Sequence, residues 1–90
     1  MEVKVSKKGE DYAEIVVEGE EHTLGNLIAN YLLRTKGVKF ASYSMPHPLE
    51  RKIVIRLMTD GSITPLDAFK AAVEKIKADL EKFEGEIEAI

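Results

Sequence analysis

A helix that is apolar around most of its girth is the feature that most restricts what this chain can fold into. Leu24, Leu27, Ile28, Ala29, Tyr31, Leu32 and Leu33 crowd one short segment, and the polar remainder is only Thr23, Asn26, Asn30 and Arg34. At about 100° per residue the apolar set covers roughly 240° of a helical wheel, whereas a stripe a little over ~100° wide is enough to seal a helix onto one sheet. Such a helix is either buried between two elements of its own domain or shared with another chain. The chain has only 90 residues, and a domain that small removes little more than ~60% of its unfolded surface from water. It has little core in which to bury a helix twice, so the pattern points to a partner.

The rest of the sequence reads as one domain over residues 1–90, with no Pro/Gly/Ser-rich linker to divide it. Val3 and Val5, then Ala13, Ile15 and Val17, alternate with polar neighbours across Lys8-Gly9-Glu10-Asp11, the period of a half-buried hairpin. Glu20 and Glu21 suit the positive end of the first helix, Thr23 is placed to cap it, and Gly37 to end it. That helix is predicted over residues 23 to 36. Strand character returns at Val38 to Tyr43, with Val38 and Phe40 on alternating positions, and at Ile53 to Met58, with Ile53, Ile55 and Leu57. Thr64-Pro65-Leu66-Asp67 then opens a second helix, since Thr caps, Pro is pre-shaped for the first helical position and Asp favours the first turn. The order β-β-α-β-β-α predicts an α+β two-layer sandwich, a four-stranded antiparallel sheet with both helices on one face.

Along the second helix Leu66, Phe69, Val73, Ile76, Leu80, Phe83, Ile87 and Ile90 recur at alternating spacings of three and four. This repeat suits a stripe on a sheet and equally a seam along a partner helix. Length helps to choose between them, against the alternative that the whole stripe is domain core with a frayed tail after Gly85. About 20 residues at ~1.5 Å each run roughly 30 Å, while a seven-residue strand covers about 23 Å. The C-terminal turns are therefore expected to overhang the sheet, with Ile76, Leu80, Phe83 and Ile87 forming the partner-facing part of the seam.

Catalytic chemistry has little to stand on. The net charge is −3, and Lys7-Lys8 and Arg51-Lys52 are too small to grip nucleic acid. No apolar run approaches the ~18 residues of a membrane span and the N-terminus has no signal core, the expectation for a cytoplasmic protein. With no cysteine there is neither a disulfide nor a thiolate metal site, and His22 and His47 are too isolated to suggest a metal. The serines lack a nucleophile elbow and the glycines are scattered rather than gathered in a phosphate loop. Glu74, Asp79, Glu81 and Glu84, interleaved with Lys70, Lys75, Lys77 and Lys82, read as a solvated face, with Glu74 and Glu81 each pairing with Lys77. No catalytic residue, metal or cofactor is expected in this chain. An enzyme on a similar sandwich, such as a pterin dehydratase, would need several histidines in one pocket, whereas the composition is compatible with a free-standing homodimerisation module.

Glu21-His22-Thr23-Leu24-Gly25-Asn26-Leu27, followed by Val38-Lys39-Phe40-Ala41-Ser42-Tyr43 and Pro46-His47-Pro48-Leu49, resembles the signature of the archaeal RNA polymerase subunit L family, small relatives of the bacterial alpha-subunit assembly domain. The likeness extends over nearly the whole chain, since that family also has the opening hairpin and the long C-terminal helix. It implies a non-catalytic subunit that pairs with the larger D subunit of the polymerase through the helical layer. The pair forms an early platform that subunits N and P join and on which the large catalytic subunits are built. The resemblance also implies that Leu24, Gly25, Asn26, Leu27, Ile28, Tyr31 and Leu32 supply partner contacts, with Gly25 leaving room for another backbone. Of the helix's two walls, one bearing Ala29 and Leu33 and the other Leu27 and Tyr31, one should seal the domain and the other meet the partner.

Overall fold

The computed structural model describes residues 2–20, 22–46 and 49–90. Strands β1 (Glu2–Lys8) and β2 (Tyr12–Glu18) form the opening hairpin, α1 (His22–Leu33) leads to β3 (Val38–Ser44), β4 (Lys52–Thr59) returns, and α2 (Pro65–Glu88) follows. All four strands pair antiparallel in the order β1-β2-β4-β3. Both helices lie on one face and touch each other, α1 over β3 and β4, α2 over β4 and β2, which leaves β1 at the margin of the helical layer.

Period-two alternation builds the core. Ala13, Ile15 and Val17 of β2 stand opposite Leu57, Ile55 and Ile53 of β4, and all six are fully buried beneath the helices. Ile28 and Leu32 press on them from α1, and Ala68, Ala72 and Ile76 from α2. The two alanines let α2 settle closely on the sheet before longer side chains take over. Thr64 caps α2 as expected, its hydroxyl oxygen accepting from the Asp67 N–H at 3.2 Å, and Pro65 occupies the first turn. The helix-free face carries ion pairs: Lys4 and Lys52 flank Glu18, and Arg56 Nε donates to Glu14 Oε2 at 3.2 Å.

Three local expectations are corrected. The first helix begins at His22, so Thr23 lies within its first turn rather than at its cap, and Glu21 falls outside the described residues. Its regular part stops at Leu33, short of residue 36, because the last turn tightens: the N–H groups of Arg34 and Thr35 donate three residues back, to Tyr31 and Leu32, and the Thr35 hydroxyl takes the Tyr31 carbonyl at 2.8 Å. Gly37, at φ 94°, then turns the chain into β3. Phe40 does not share a face with Val38. The register shifts between these residues, so Val38, Ala41 and Tyr43 face the helices while Phe40 stands beside Met58 on the open face, 48% exposed. His47 and Pro48 of the proline loop lie outside the described residues.

Candidate partner interface

The surplus apolar surface collects where the helical layer fails to reach the edge of the sheet. Val3 and Val5 of β1 point to the helix side, opposite Val17 and Ile15, and remain 47% and 45% exposed because neither helix lies over them. Val3 and Val17 form the floor of an open groove of about 280 Å³, walled by Leu24 and Ile28 of α1 and by Phe69, Val73, Ile76 and Leu80 of α2. Lys77, at its rim, is the one charged residue among the described residues that line it.

The groove runs into the seam. Ile76 is 8% exposed, and beyond it Leu80, Phe83 and Ile87 are 55%, 58% and 52% exposed as α2 leaves the sheet. The 24-residue helix passes through Gly85 without a break, and its last three turns span roughly 16 Å. Leu80 belongs to both groove and seam, so the apolar surface is continuous. Burying side chains that are half exposed contributes on the order of 1 kcal/mol each.

The residues expected at a partner divide into three sets. Leu80, Phe83 and Ile87 face outward, and Asn26 is exposed, its amide oxygen accepting from Asn30 Nδ2 at 3.4 Å. Leu24, Leu27 and Tyr31 pack half-buried against the core while keeping an open side. Gly25, Ile28, Leu32 and Ile76 are buried in this chain's own core, although Ile28 and Ile76 still reach the groove wall. Gly25 is a correction of cause: a Cβ there would lie 2.7 Å from Tyr43 Cδ2 and 3.0 Å from Ile53 Cγ2, so the close approach is by the chain's own sheet, not another backbone. The wall expectation is also revised, since Ala29 is buried and Leu33 is 53% exposed; the sealing wall is Gly25, Ile28, Ala29 and Leu32. The expected interface omits Val3 and Val17. The signal that could have found them is their apolar character on an edge hairpin in a chain with only two helices to cover four strands.

Polar contacts hold the two helices in place beside the groove. Tyr31 donates its hydroxyl hydrogen to Asp79 Oδ2 at 2.8 Å, Arg34 stacks 4.5 Å from the centre of the Tyr31 ring, and Lys75 Nζ is 3.5 Å from Asp79 Oδ1. The hydrogen bond from Tyr31 holds the Asp79 carboxyl below its ordinary pKa against the opposing effect of burial, and the same bond, with burial, raises that of Tyr31. Among the described residues the ion pair on α2 is Lys75 with Asp79, and the expected pairs of Lys77 with Glu74 and Glu81 are not formed. His22 lies edge-on to Tyr43, with ring centres 5.8 Å apart. Among the described residues no cluster of three His, Asp or Glu side chains could hold a metal, and no helix is long and apolar enough to cross a membrane.

The fold is a β-β-α-β-β-α sandwich whose apolar surface runs on past its own core. Residues 12–86 match the RNA polymerase Rpb3/Rpb11 dimerisation domain family. The sequence is 51% identical over 90 residues to DNA-directed RNA polymerase subunit Rpo11 of Sulfurisphaera tokodaii, covering all of this chain and 97% of that protein. It is 46% identical to the subunit of the same name from Metallosphaera sedula, covering both chains completely. The fold superimposes on the crystal structure of DNA-directed RNA polymerase subunit L from Thermoplasma acidophilum with a TM-score of 0.85, over 98% of this chain and 86% of that one, at 22% identity. The chain belongs to the Rpb3/Rpb11 family as an RNA polymerase subunit of the Rpo11, or L, kind. The resemblance drawn from residues 21–49 is therefore correct, and so is the sandwich it implies.

Proposed function

We propose that this chain is a non-catalytic assembly subunit of DNA-directed RNA polymerase that pairs with the larger D subunit through the groove and the seam of α2. The pair then serves as the platform that subunits N and P join and on which the large catalytic subunits are built. The observation that carries this reading is the unbroken apolar surface from Val3, across Phe69 and Val73, to Leu80, Phe83 and Ile87. A lone domain gains nothing from a helix that leaves its sheet with three large side chains half bare, whereas a second helical layer packed on it would bury them. The net charge of −3 gives the chain no electrostatic grip on DNA, which leaves it a part in building the enzyme rather than in holding its template.

Size-exclusion chromatography of an equimolar mixture with the D subunit from the same source tests the reading. A single peak of one-to-one composition, absent when either chain is run alone, is the expected result. Separate elution of the two chains at micromolar concentration would remove the D subunit as the partner.

A further inference from the structure

We infer that, when its polymerase partner is absent, this chain pairs with a second copy of itself, the projecting end of α2 from each copy lying antiparallel on α2 of the other, along the wall of its groove. The inference rests on the docking surface proposed above. It adds that the free subunit is a homodimer that must open before it can be assembled.

Two features of α2 make the surface complementary to itself. The first is spacing about Leu80: Ile76 and Phe83 lie four residues before and three after it, and Val73 and Ile87 seven residues to either side. A two-fold axis beside Leu80 therefore sets Phe83 and Ile87 of one copy against Ile76 and Val73 of the other, an isologous contact that closes at two chains. The exposed half of the seam covers the α2 wall of the groove, Val73, Ile76 and Leu80, in both copies at once.

The second feature is charge. Between residues 70 and 77 the helix carries Lys70, Lys75 and Lys77 against Glu74, while from 81 to 90 it carries Glu81, Glu84, Glu86 and Glu88 against Lys82. Antiparallel pairing lays the acidic end of each copy over the basic middle of the other, whereas parallel pairing would set like on like. Lys77 and Glu84 are one heptad apart and flank the seam on the same side, so each meets the other's counterpart across the axis, twice per dimer. Among the described residues neither has an ion-pair partner inside its own chain, and Lys77 already stands at the rim of the groove.

Sedimentation of the full chain alone over a concentration series tests the arrangement. Wild type should be dimeric on the order of tens of micromolar and dissociate on dilution. Lys77→Glu and Glu84→Lys should each weaken the dimer about fivefold or more, because two favourable pairs become repulsive, while the double variant recovers wild-type affinity; circular dichroism confirms that every variant is folded. A chain that stays monomeric up to about 1 mM, or a dimer that neither single reversal weakens, would overturn the inference. Titration of wild type with the D subunit keeps the two readings apart. A monomer that binds it leaves the proposed function standing, and a homodimer that never exchanges for it removes that function.

Discussion

Gly25 and Gly85 are two glycines of the helices with opposite surroundings. A Cβ on Gly25 would drive into Tyr43 and Ile53, while one on Gly85 would meet nothing within 4 Å. Gly25→Ala should lower the unfolding free energy by about 1–3 kcal/mol and Gly85→Ala should raise it by about 0.5–1 kcal/mol, read from urea midpoints at unchanged slope. The sequence marked Gly25 as special yet could not say which neighbour it admits, because Tyr43 and Ile53 reach it only through the sheet. Thr59 is a different case: it is 2% exposed and its hydroxyl has no partner among the described residues. Thr59→Val removes the buried unpaired group at constant volume and should be stabilising by about 1 kcal/mol in the same titration. The bond between Tyr31 and Asp79 gives a pH dependence. Asp79's lowered pKa means its contribution is complete above the unfolded value of about 3.9 and is lost as pH falls through the folded value; Tyr31's raised pKa means its contribution is complete below about 10 and is lost as pH rises through the folded value. The stability gap between wild type and Tyr31→Phe should be flat between these limits and narrow at both ends. A gap that persists unchanged at about pH 2.5 would show that the bond is not the cause.

Among the elements, α2 was the most legible: its 3.5-residue period marked the apolar stripe, and its length against the strands, which the period alone could not supply, pointed to an overhang. Its inner face was less so. Ala68 and Ala72 carry the contact with the sheet, and alanines leave little mark on a hydrophobic pattern dominated by Phe69, Val73 and Leu80. The bulge in β3 was illegible, since one extra residue at Lys39 changes no composition yet moves Phe40 to the opposite face. Loss of the overhang tests whether it belongs to the fold. Ending the chain after Leu80 should cost at most about 1 kcal/mol in stability, because the side chains removed are about half exposed or more, yet abolish co-elution with the D subunit. A truncated chain that unfolds would place residues 81–90 in the core.

At the scale of the whole molecule, the order of elements and the single apolar layer follow from alternation and helical period, which is why the sandwich could be read in advance. The groove could not, because it depends on how far two helices extend across four strands, a distance no local pattern encodes. The molecule presents two faces that differ in kind: a helical side with a continuous apolar path, and an open sheet face of ion pairs whose exposed apolar residues include Phe40 and Met58, 48% and 43% exposed. In the proposed function the polymerase partner docks on the first. Calorimetric titration of two folded double variants with the D subunit decides it: Leu80→Asp with Ile87→Asp on the seam, and Phe40→Asp with Met58→Asp on the sheet. The seam variant should bind at least about 100-fold more weakly than wild type, and the sheet variant should bind within about threefold of it. The reverse order, or a seam variant that binds as wild type does, would contradict a partner seated on the helical side.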